Sequence, residues 1–190
     1  MSKVIIIEGP DNCGKDILVE RLKTCFNNVK VCHAGIPSSS NLFIYYLDGF
    51  IHDTLDGYYD KNTDAVIHNR SMYGEYVYGP KYRNESREEV EKVIDRLETG
   101  QLRTFIFEHE LFFVLLTSSS TKLLAGNDDG LSISNKESDI ADEINSFSEI
   151  FDKSKIKNKL KVYVNDGDVF RNKDDIFLDV ASFILSRSSV

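Results

Sequence analysis

The sequence lacks any apolar run long enough to cross a membrane. The longest, LFFVLL at positions 111–116, has six residues, whereas a membrane-spanning helix needs about 20. A single lysine precedes the first apolar run, so we expect no signal peptide. The composition, with 41% hydrophobic and 28% charged residues, is typical of a globular protein and predicts no membrane partner.

Cysteine and histidine are also scarce. The three cysteines are an odd number without metal-ligand spacing, which predicts neither a disulfide framework nor a zinc site. The four histidines show no metal-binding spacing either. A chain that does not depend on disulfides suits a reducing compartment, so we expect the protein in the cytoplasm.

Basic residues are outnumbered, with 23 Lys and Arg against 31 Asp and Glu and a net charge of −8. Binding to nucleic acid in general requires many phosphate contacts, so a nucleic-acid partner is not expected. The run DKSKIKNKLK at positions 152–161 is the one basic cluster. We interpret it as a solvated helix end that leads into a strand, with a contact to nucleic acid or to a lid as the alternative.

Apolar runs and amphipathic stretches alternate along the chain. The predicted strands are Val4–Glu8, Val29–His33, Ala65–His68, Leu111–Leu116 and Leu160–Val164. The predicted helices are Lys15–Phe26, Asn41–Leu55, Ser86–Leu97, Ile140–Phe151 and Ile176–Leu185. Residues 117–139 are polar and irregular, which is typical of a lid or a functional loop. The alternation predicts an α/β fold, with a parallel sheet covered by helices on both faces, in one domain spanning 1–190.

A phosphate-binding loop is predicted where the first strand ends. Gly9, Gly14 and Lys15 fit the pattern G-x-x-x-x-G-K between a predicted strand and a predicted helix. Such glycines let backbone amides approach phosphate oxygens, and the lysine reaches the terminal phosphates. The residues expected around the phosphates are Gly9, Pro10, Asp11, Asn12, Cys13, Gly14, Lys15 and Asp16.

A second informative stretch, NRSMYGEYVYGPKYR at positions 69–83, follows the third predicted strand. Arg70 lies just past the carboxyl end of that strand, the edge at which open α/β sheets bind ligands. Arg83 and several tyrosines follow it. Arginines and aromatic rings suit a ligand with a phosphate and a flat base. The alternative is that the tyrosines pack in the interior and the arginines form surface ion pairs.

The stretches EGPDNCGKD and NRSMYGEYVYGPKYR together resemble the thymidylate kinase-like P-loop nucleoside monophosphate kinases, in particular the short bacteriophage-type deoxynucleotide kinases. The resemblance implies a P-loop NTPase fold with a five-stranded parallel sheet and a lid at about 117–139. It implies transfer of the γ-phosphoryl group of ATP, with Mg²⁺, to a deoxynucleoside monophosphate such as dTMP or a related or modified pyrimidine nucleotide. A homodimer is also expected, and a viral protein of this kind would work in the host cytoplasm.

The resemblance also implies roles for individual residues. The catalytic residues would be Lys15, Arg70 and Asp16. The acceptor-binding residues would be Asp11, Tyr45, Phe50, Arg70, Glu75, Tyr78 and Arg83. The lid would contribute Lys122, and the metal would be held by Asp16 and Asn69.

Four positions depart from the pattern of that family: Asn12, Asp16, Asn69 and Asn127. Asp16 replaces a metal-binding hydroxyl, and Asn69 replaces an aspartate. An uncompensated charge about 6 Å from a phosphate would cost about 3 kcal/mol at an effective dielectric constant of about 20. We therefore expect that Asp16 took over a metal role that Asn69 gave up.

Asn12 and Asn127 stand where arginines are expected, which leaves open a catalytically weak or inactive nucleotide-binding relative with a regulatory role. The lysine run at 153–161 leaves open a second alternative, a kinase that acts on a modified base or on a nucleic-acid end.

Overall fold

A computed structural model describes residues 2–33, 42–100, 102–103, 111–127, 130, 132, 134 and 136–186, without the side chains of residues 42–46 and 58. The main sheet consists of β1 Lys3–Glu8, β2 Val29–His33, β3 Ala65–Asn69, β4 Leu111–Thr117 and β5 Asn158–Tyr163. Its five strands are all parallel in the order β2-β3-β1-β4-β5. A short antiparallel hairpin follows, formed by β6 Asn165–Asp166 and β7 Val169–Phe170.

Seven helices occur in the described ranges. They are α1 Lys15–Leu22, α2 Leu42–Tyr59, α3 Tyr73–Tyr82, α4 Arg87–Thr99, α5 Thr121–Gly126, α6 Glu137–Lys153 and α7 Lys173–Leu185. A 3₁₀ turn at Lys23–Cys25 follows α1 directly. None of these helices is long and apolar enough to cross a membrane.

The two faces of the sheet form two cores. In β1, Val4 and Ile6 pack on one face with residues of α2, α3, α4 and α6. Ile5 and Ile7 pack on the other face with residues of α1 and α7. Because neighbouring strand side chains point to opposite faces, a strand covered on both faces is a continuous apolar run. The predicted five-stranded parallel sheet with helices on both faces is confirmed.

The register of the sheet brings three strand ends together. Ile7 of β1 lies beside Asn69 of β3, and Asn69 lies beside His33 of β2. The loop that follows β1 and the turn that follows β3 therefore leave the sheet at the same edge. This edge carries most of the side chains that the sequence predicts to be functional.

One helix was missed by the sequence analysis. No helix was predicted between the third strand and Ser86, whereas Tyr73–Tyr82 form α3. The sequence does not predict this helix because it contains Gly74, Gly79 and Pro80, residue types with low helix propensity. Burial of Tyr73, Tyr76 and Val77 against the sheet stabilises the helix in spite of that.

Two further predictions are corrected. The helix predicted at Lys15–Phe26 is α-helical only to Leu22 and continues as the 3₁₀ turn. The stretch 117–139 was predicted to be irregular, but it contains α5 and the first turn of α6. Ser120 caps α5 by accepting a hydrogen bond from the backbone N–H of Leu123 (3.3 Å), and such a cap is visible in a sequence.

Candidate active site

The loop between β1 and α1 has a backbone that requires glycine at Gly9. Its φ is 147°, and a Cβ atom there would lie 2.2 Å from the carbonyl oxygen of Leu116 in β4. Asn12 and Gly14 are also left-handed, with φ values of 65° and 78°. Gly14 precedes the first residue of α1. The loop thus turns tightly and ends at a helix N-terminus, an arrangement that binds anions.

Lys15 lies folded against this loop and is 4% exposed. Its Nζ donates hydrogen bonds to the carbonyl oxygens of Gly9 (2.8 Å) and Pro10 (2.5 Å). Burial, and then the charge of Arg70, lower the pKa of the Lys15 ammonium. Phosphate oxygens are stronger acceptors for an ammonium than neutral carbonyls, so a bound polyphosphate would stabilise the charged form.

Arg70 forms an ion pair with Asp11 of the loop. Its Nη2 lies 2.7 Å from Asp11 Oδ1, and the Arg70 side chain is 37% exposed. Burial by itself would lower the pKa of the Arg70 guanidinium, but the Asp11 carboxylate outweighs it, so that the pKa is raised. Lys15 Nζ lies 4.0 Å from the same Asp11 oxygen. One carboxylate therefore holds two cations beside the phosphate loop.

Glu8 is a residue of the site that the sequence analysis missed. Its buried Oε1 accepts hydrogen bonds from the backbone N–H (2.7 Å) and the hydroxyl (2.8 Å) of Ser71. Burial raises the pKa of Glu8 to about 7, although the Ser71 bonds oppose the shift. Ser71 follows Arg70, whose φ is 69°. Glu8 thus anchors the strained turn that carries Arg70. In the sequence, the only sign of this role is a carboxylate at the end of an apolar strand.

Asp16 and Asn69, the two predicted metal residues, are in contact. Asn69 Nδ2 donates a hydrogen bond to Asp16 Oδ1 (2.5 Å) and lies 3.1 Å from His33 Nδ1. Asp16 is exposed in the first turn of α1, whereas Asn69 is 3% exposed. The described residues contain no group of three or more His, Cys, Asp or Glu side chains that could hold a metal.

These two residues nevertheless fit a divalent cation. Asn69 Oδ1 is buried and has no hydrogen-bond partner among the described residues. Carboxylate and amide oxygens are hard ligands, and Mg²⁺ is usually held by one or two such groups together with substrate phosphates and water. Asp16 and Asn69 could therefore supply the protein's share of a magnesium site.

Tyr78 and Glu143 line the interior of the site next to Asp11. The hydroxyl of Tyr78 is buried without a hydrogen-bond partner in the described part of the chain. Burial, followed by the charges of Asp11 and Glu143, raises the pKa of Tyr78 well above its usual value. Glu143 of α6 is 1% exposed and accepts a hydrogen bond from Ser134. The sequence analysis did not single out Glu143, which lies inside an amphipathic helix.

The remaining predicted acceptor residues are mostly occupied within the protein. Glu75 and Arg83 form an ion pair with each other. Burial raises the pKa of Glu75, although Arg83 opposes the shift. Phe50 is 3% exposed, and its ring centroid lies 4.5 Å from that of His68. The side chain of Tyr45 lies outside the described residues.

The phosphate loop also contacts the segment after α5. Asn12 Nδ2 donates to Ser132 Oγ (3.0 Å) and to the Leu124 carbonyl (3.4 Å), and Ser132 Oγ donates back to Asn12 Oδ1 (3.2 Å). Lys122 is exposed on α5 and lines a depression of about 360 Å³ with Asp168 and Phe170. Asn12 thus joins the loop to the predicted lid.

A cavity of about 240 Å³ adjoins the loop on the side of α7. It is lined by Asn12, Cys13, Gly14, Ile17, Leu18, Asn127, Val164, Phe170, Arg171, Lys173 and Ile176. Phe170 and Ile17 are partly exposed large apolar side chains, at 37% and 39%. Mostly apolar walls with a few polar groups are typical of a ligand pocket. The sequence carried no signal for it, because its residues come from distant parts of the chain.

Several solved structures share this fold. YorR from Bacillus subtilis, in complex with phosphorylated GDP, matches with a TM-score of 0.64 at 16% identity over 96% of each chain. Thymidylate kinase from Candida albicans has a TM-score of 0.65 at 12% identity and covers 97% of this chain and 92% of its own. Deoxyadenosine kinase from M. mycoides, with dCMP and dCDP bound, has a TM-score of 0.57 at 13% identity and covers 97% and 100%.

No family model and no curated protein matches the sequence. At these identities the structural likeness shows the fold alone. The chain shares its fold with these three proteins, two of which are a thymidylate kinase and a deoxyadenosine kinase.

Proposed function

We propose that this protein is a nucleoside monophosphate kinase that transfers the γ-phosphoryl group of ATP to a deoxynucleoside monophosphate. The observation that carries the proposal is the ion pair between Arg70 and Asp11, with Lys15 beside it. Phosphoryl transfer depends on alignment and on stabilisation of charge spread over phosphate oxygens. A lysine and an arginine that converge on one phosphate-binding loop supply that stabilisation.

The donor nucleotide would lie along the loop. Its phosphates would accept hydrogen bonds from the backbone N–H groups of Gly9 and residues 11–16 and would replace the Gly9 and Pro10 carbonyls as partners of Lys15. Its base would enter the cavity beside Phe170 and Ile17, where aromatic stacking and apolar contact require no particular base. Mg²⁺ would be held by Asp16 and Asn69 and would neutralise the phosphate charge.

The acceptor would lie on the side of α3. Arg70 would hold its phosphate, and Asp11 would approach its sugar. The buried hydroxyl of Tyr78 has no hydrogen-bond partner among the described residues and would offer its hydrogen-bonding group to a base. The choice of dTMP or a related or modified pyrimidine nucleotide rests on the resemblance of the sequence motifs. Residues 117–139 would serve as the lid of a single kinase domain.

A coupled ADP-release assay against a panel of deoxynucleoside monophosphates tests this proposal. We expect turnover with a pyrimidine monophosphate and its loss in Lys15→Met. The matched control is Lys92→Met, because Lys92 is exposed on α4 and pairs only with the exposed Glu88 in the described part of the chain. Turnover by Lys15→Met at the rate of the wild type would contradict the role of the loop.

A second candidate function is a nucleotide-binding relative without efficient turnover. Lys122 is the only Lys or Arg between positions 117 and 135, and it lines the depression with Asp168 rather than the phosphate loop. The lid thus offers few cations to a transition state. Tight ATP binding with no turnover on any acceptor would favour this candidate.

Action on a nucleic-acid end is disfavoured by the basic cluster itself. Lys153 pairs with Glu91 (2.8 Å) and Glu149 (2.9 Å), and Lys155 pairs with Asp95. Lysines that already pair with carboxylates neutralise few phosphates, so their binding would release few counterions from a nucleic acid. The cluster is a helix end that leads into β5, which agrees with its interpretation as a solvated helix terminus.

A further inference from the structure

Three side chains meet at the position expected for the metal, and the third is one that the sequence did not predict. Asn69 contacts Asp16 from α1 and His33 from the end of β2, as its Nδ2 lies 2.5 Å from Asp16 Oδ1 and 3.1 Å from His33 Nδ1. The parallel register places Asn69 directly beside His33. His33 therefore lies beside Asn69 because of the strand register, and not because of its neighbours in the sequence.

The amide of Asn69 is incompletely satisfied in this arrangement. Its Oδ1 is buried without a partner in the described residues. The oxygen and nitrogen of such an amide are distinguished only by their hydrogen bonds. A rotation by about 180° would turn the oxygen toward Asp16 and His33, where it would face an Asp16 carboxylate oxygen. Two acceptor oxygens in contact repel each other, so the rotation is favourable only when a cation lies between them.

The two separations measured from Asn69 are close to those between neighbouring ligands of one cation. Adjacent ligands of an octahedral ion with bonds of about 2.1 Å lie about 3 Å apart. The position that the rotated oxygen would take is 2.5 Å from the Asp16 oxygen and 3.1 Å from the His33 nitrogen. Small outward shifts of the exposed Asp16 and His33 side chains would bring a carboxylate oxygen, an amide oxygen and an imidazole nitrogen onto one ion.

We propose that His33 Nδ1 is a metal ligand and that the site prefers a first-row transition-metal dication such as Co²⁺ to Mg²⁺. Imidazole favours transition metals, and affinity rises from Mn²⁺ to Co²⁺ in a mixed nitrogen and oxygen site. The inference rests on the proposed function, because nucleotide phosphates would supply the remaining ligands.

The test is a calorimetric measurement of ADP affinity with Mg²⁺, Mn²⁺, Co²⁺ or EDTA, for the wild type and for His33→Ala. The matched control is His52→Ala, since His52 is exposed on α2 and pairs with Asp56 (3.2 Å). The affinity of free ADP for each metal is common to all variants and cancels in the comparison. Loss of groups that merely orient a ligand changes metal affinity about 10–100-fold.

We therefore expect His33→Ala to lower the ratio of Co²⁺-supported to Mg²⁺-supported affinity about tenfold or more, and His52→Ala to leave it unchanged. A second readout is electron spin-echo spectroscopy of bound Mn²⁺ in ¹⁵N-labelled protein with unlabelled ADP. A ¹⁵N coupling that is present in the wild type and absent in His33→Ala identifies the imidazole.

Two results would overturn the inference in different ways. ADP binding with equal metal ratios in the wild type and His33→Ala, and no ¹⁵N coupling, would reject the ligand and leave the kinase proposal standing. Absence of ADP binding under every condition would reject the proposed function and the metal site with it.

Discussion

Arg70 Nη2 lies 2.7 Å from Asp11 Oδ1, so the phosphate loop and the turn after β3 are joined by an ion pair at the mouth of the site. The two residues are far apart in the sequence and come together because β1 and β3 are parallel neighbours. The turn that carries Arg70 is in turn anchored on Glu8, the last residue of β1. Loop, turn and strand therefore act as one unit.

Replacement of this arginine should separate catalysis from stability. We expect Arg70→Gln to lower kcat about 10³-fold or more, as the loss of a transition-state arginine does in related chemistry. The free energy of unfolding should fall moderately, by about 1–3 kcal/mol, because the buried Asp11 Oδ1 loses its nearest cation although Arg70 itself is partly exposed. Steady-state kinetics and denaturant unfolding measure the two. Arg96→Gln, on the exposed side of α4, is the control, and an equal loss of kcat there would contradict the assignment.

A double replacement tests whether Asp16 and Asn69 exchanged roles. Asn69→Asp alone places two carboxylates in contact, and Asp16→Thr alone leaves the metal position without a carboxylate. We expect both single variants to be less active than Asp16→Thr with Asn69→Asp. A double-mutant cycle on activity and on unfolding should give a coupling energy of about 0.5–3 kcal/mol. A double variant that is worse than both singles would count against the exchange.

Gly9→Ala should destabilise the protein. The φ of 147° is unfavourable for alanine, and its Cβ would lie 2.2 Å from the Leu116 carbonyl oxygen. We expect a loss of about 2–4 kcal/mol in the free energy of unfolding, measured with denaturant. In the control Gly49→Ala, on α2, a Cβ would meet no atom within 4 Å. That variant should gain about 0.5–1 kcal/mol, and equal effects of the two would show that the clash is absent.

Phe170→Ala should weaken binding of the donor nucleotide. Phe170 lines the cavity beside the loop, and stacking on a base is worth about 1–3 kcal/mol. We expect KM for ATP to rise about tenfold with little change in KM for the acceptor. Leu178→Ala serves as the control because Leu178 is exposed on α7 and does not line this cavity. A selective rise in KM for the acceptor would place the donor base elsewhere.

Two buried groups should give opposite pH dependences of stability. Burial lowers the pKa of His68 from 6.5 to about 4, so its contribution is present above pH 6.5 and is lost as the pH falls toward 4. Burial raises the pKa of Glu8 from 4.5 to about 7, so its contribution is present below pH 4.5 and is lost as the pH rises toward 7. Between these limits the two trends oppose each other.

Single replacements should reveal each trend. In Glu8→Gln, which can still accept the Ser71 hydrogen bonds, stability should rise with pH relative to the wild type, by about 2 kcal/mol between about pH 5 and 7. In His68→Gln, which can still bond to Thr54, stability should fall with pH relative to the wild type, by a similar amount between about pH 4 and 6.5. Unfolding curves at several pH values measure both differences, and parallel curves for all three proteins would refute them.

The sequence by itself determined the strands, the tight glycine turn after β1 and the fold class. A strand buried on both faces is a continuous apolar run, and a phosphate loop needs its glycines at set positions, so both patterns are local. Val4–Ile7, Gly9, Gly14 and Lys15 could therefore be interpreted without a structure. The likeness of the two motifs to nucleotide kinases agrees with the structural neighbours at the level of the fold.

Only the tertiary structure decided how the site is assembled. Helix α3 forms because its tyrosines are buried against the sheet, which outweighs the low propensity of Gly74, Gly79 and Pro80. Glu8 became recognisable as an anchor because Ser71, distant in sequence, packs beside it. His33 contacts Asn69 only through the register of β2 and β3. These contacts depend on the order of the strands, which local patterns in the sequence do not specify.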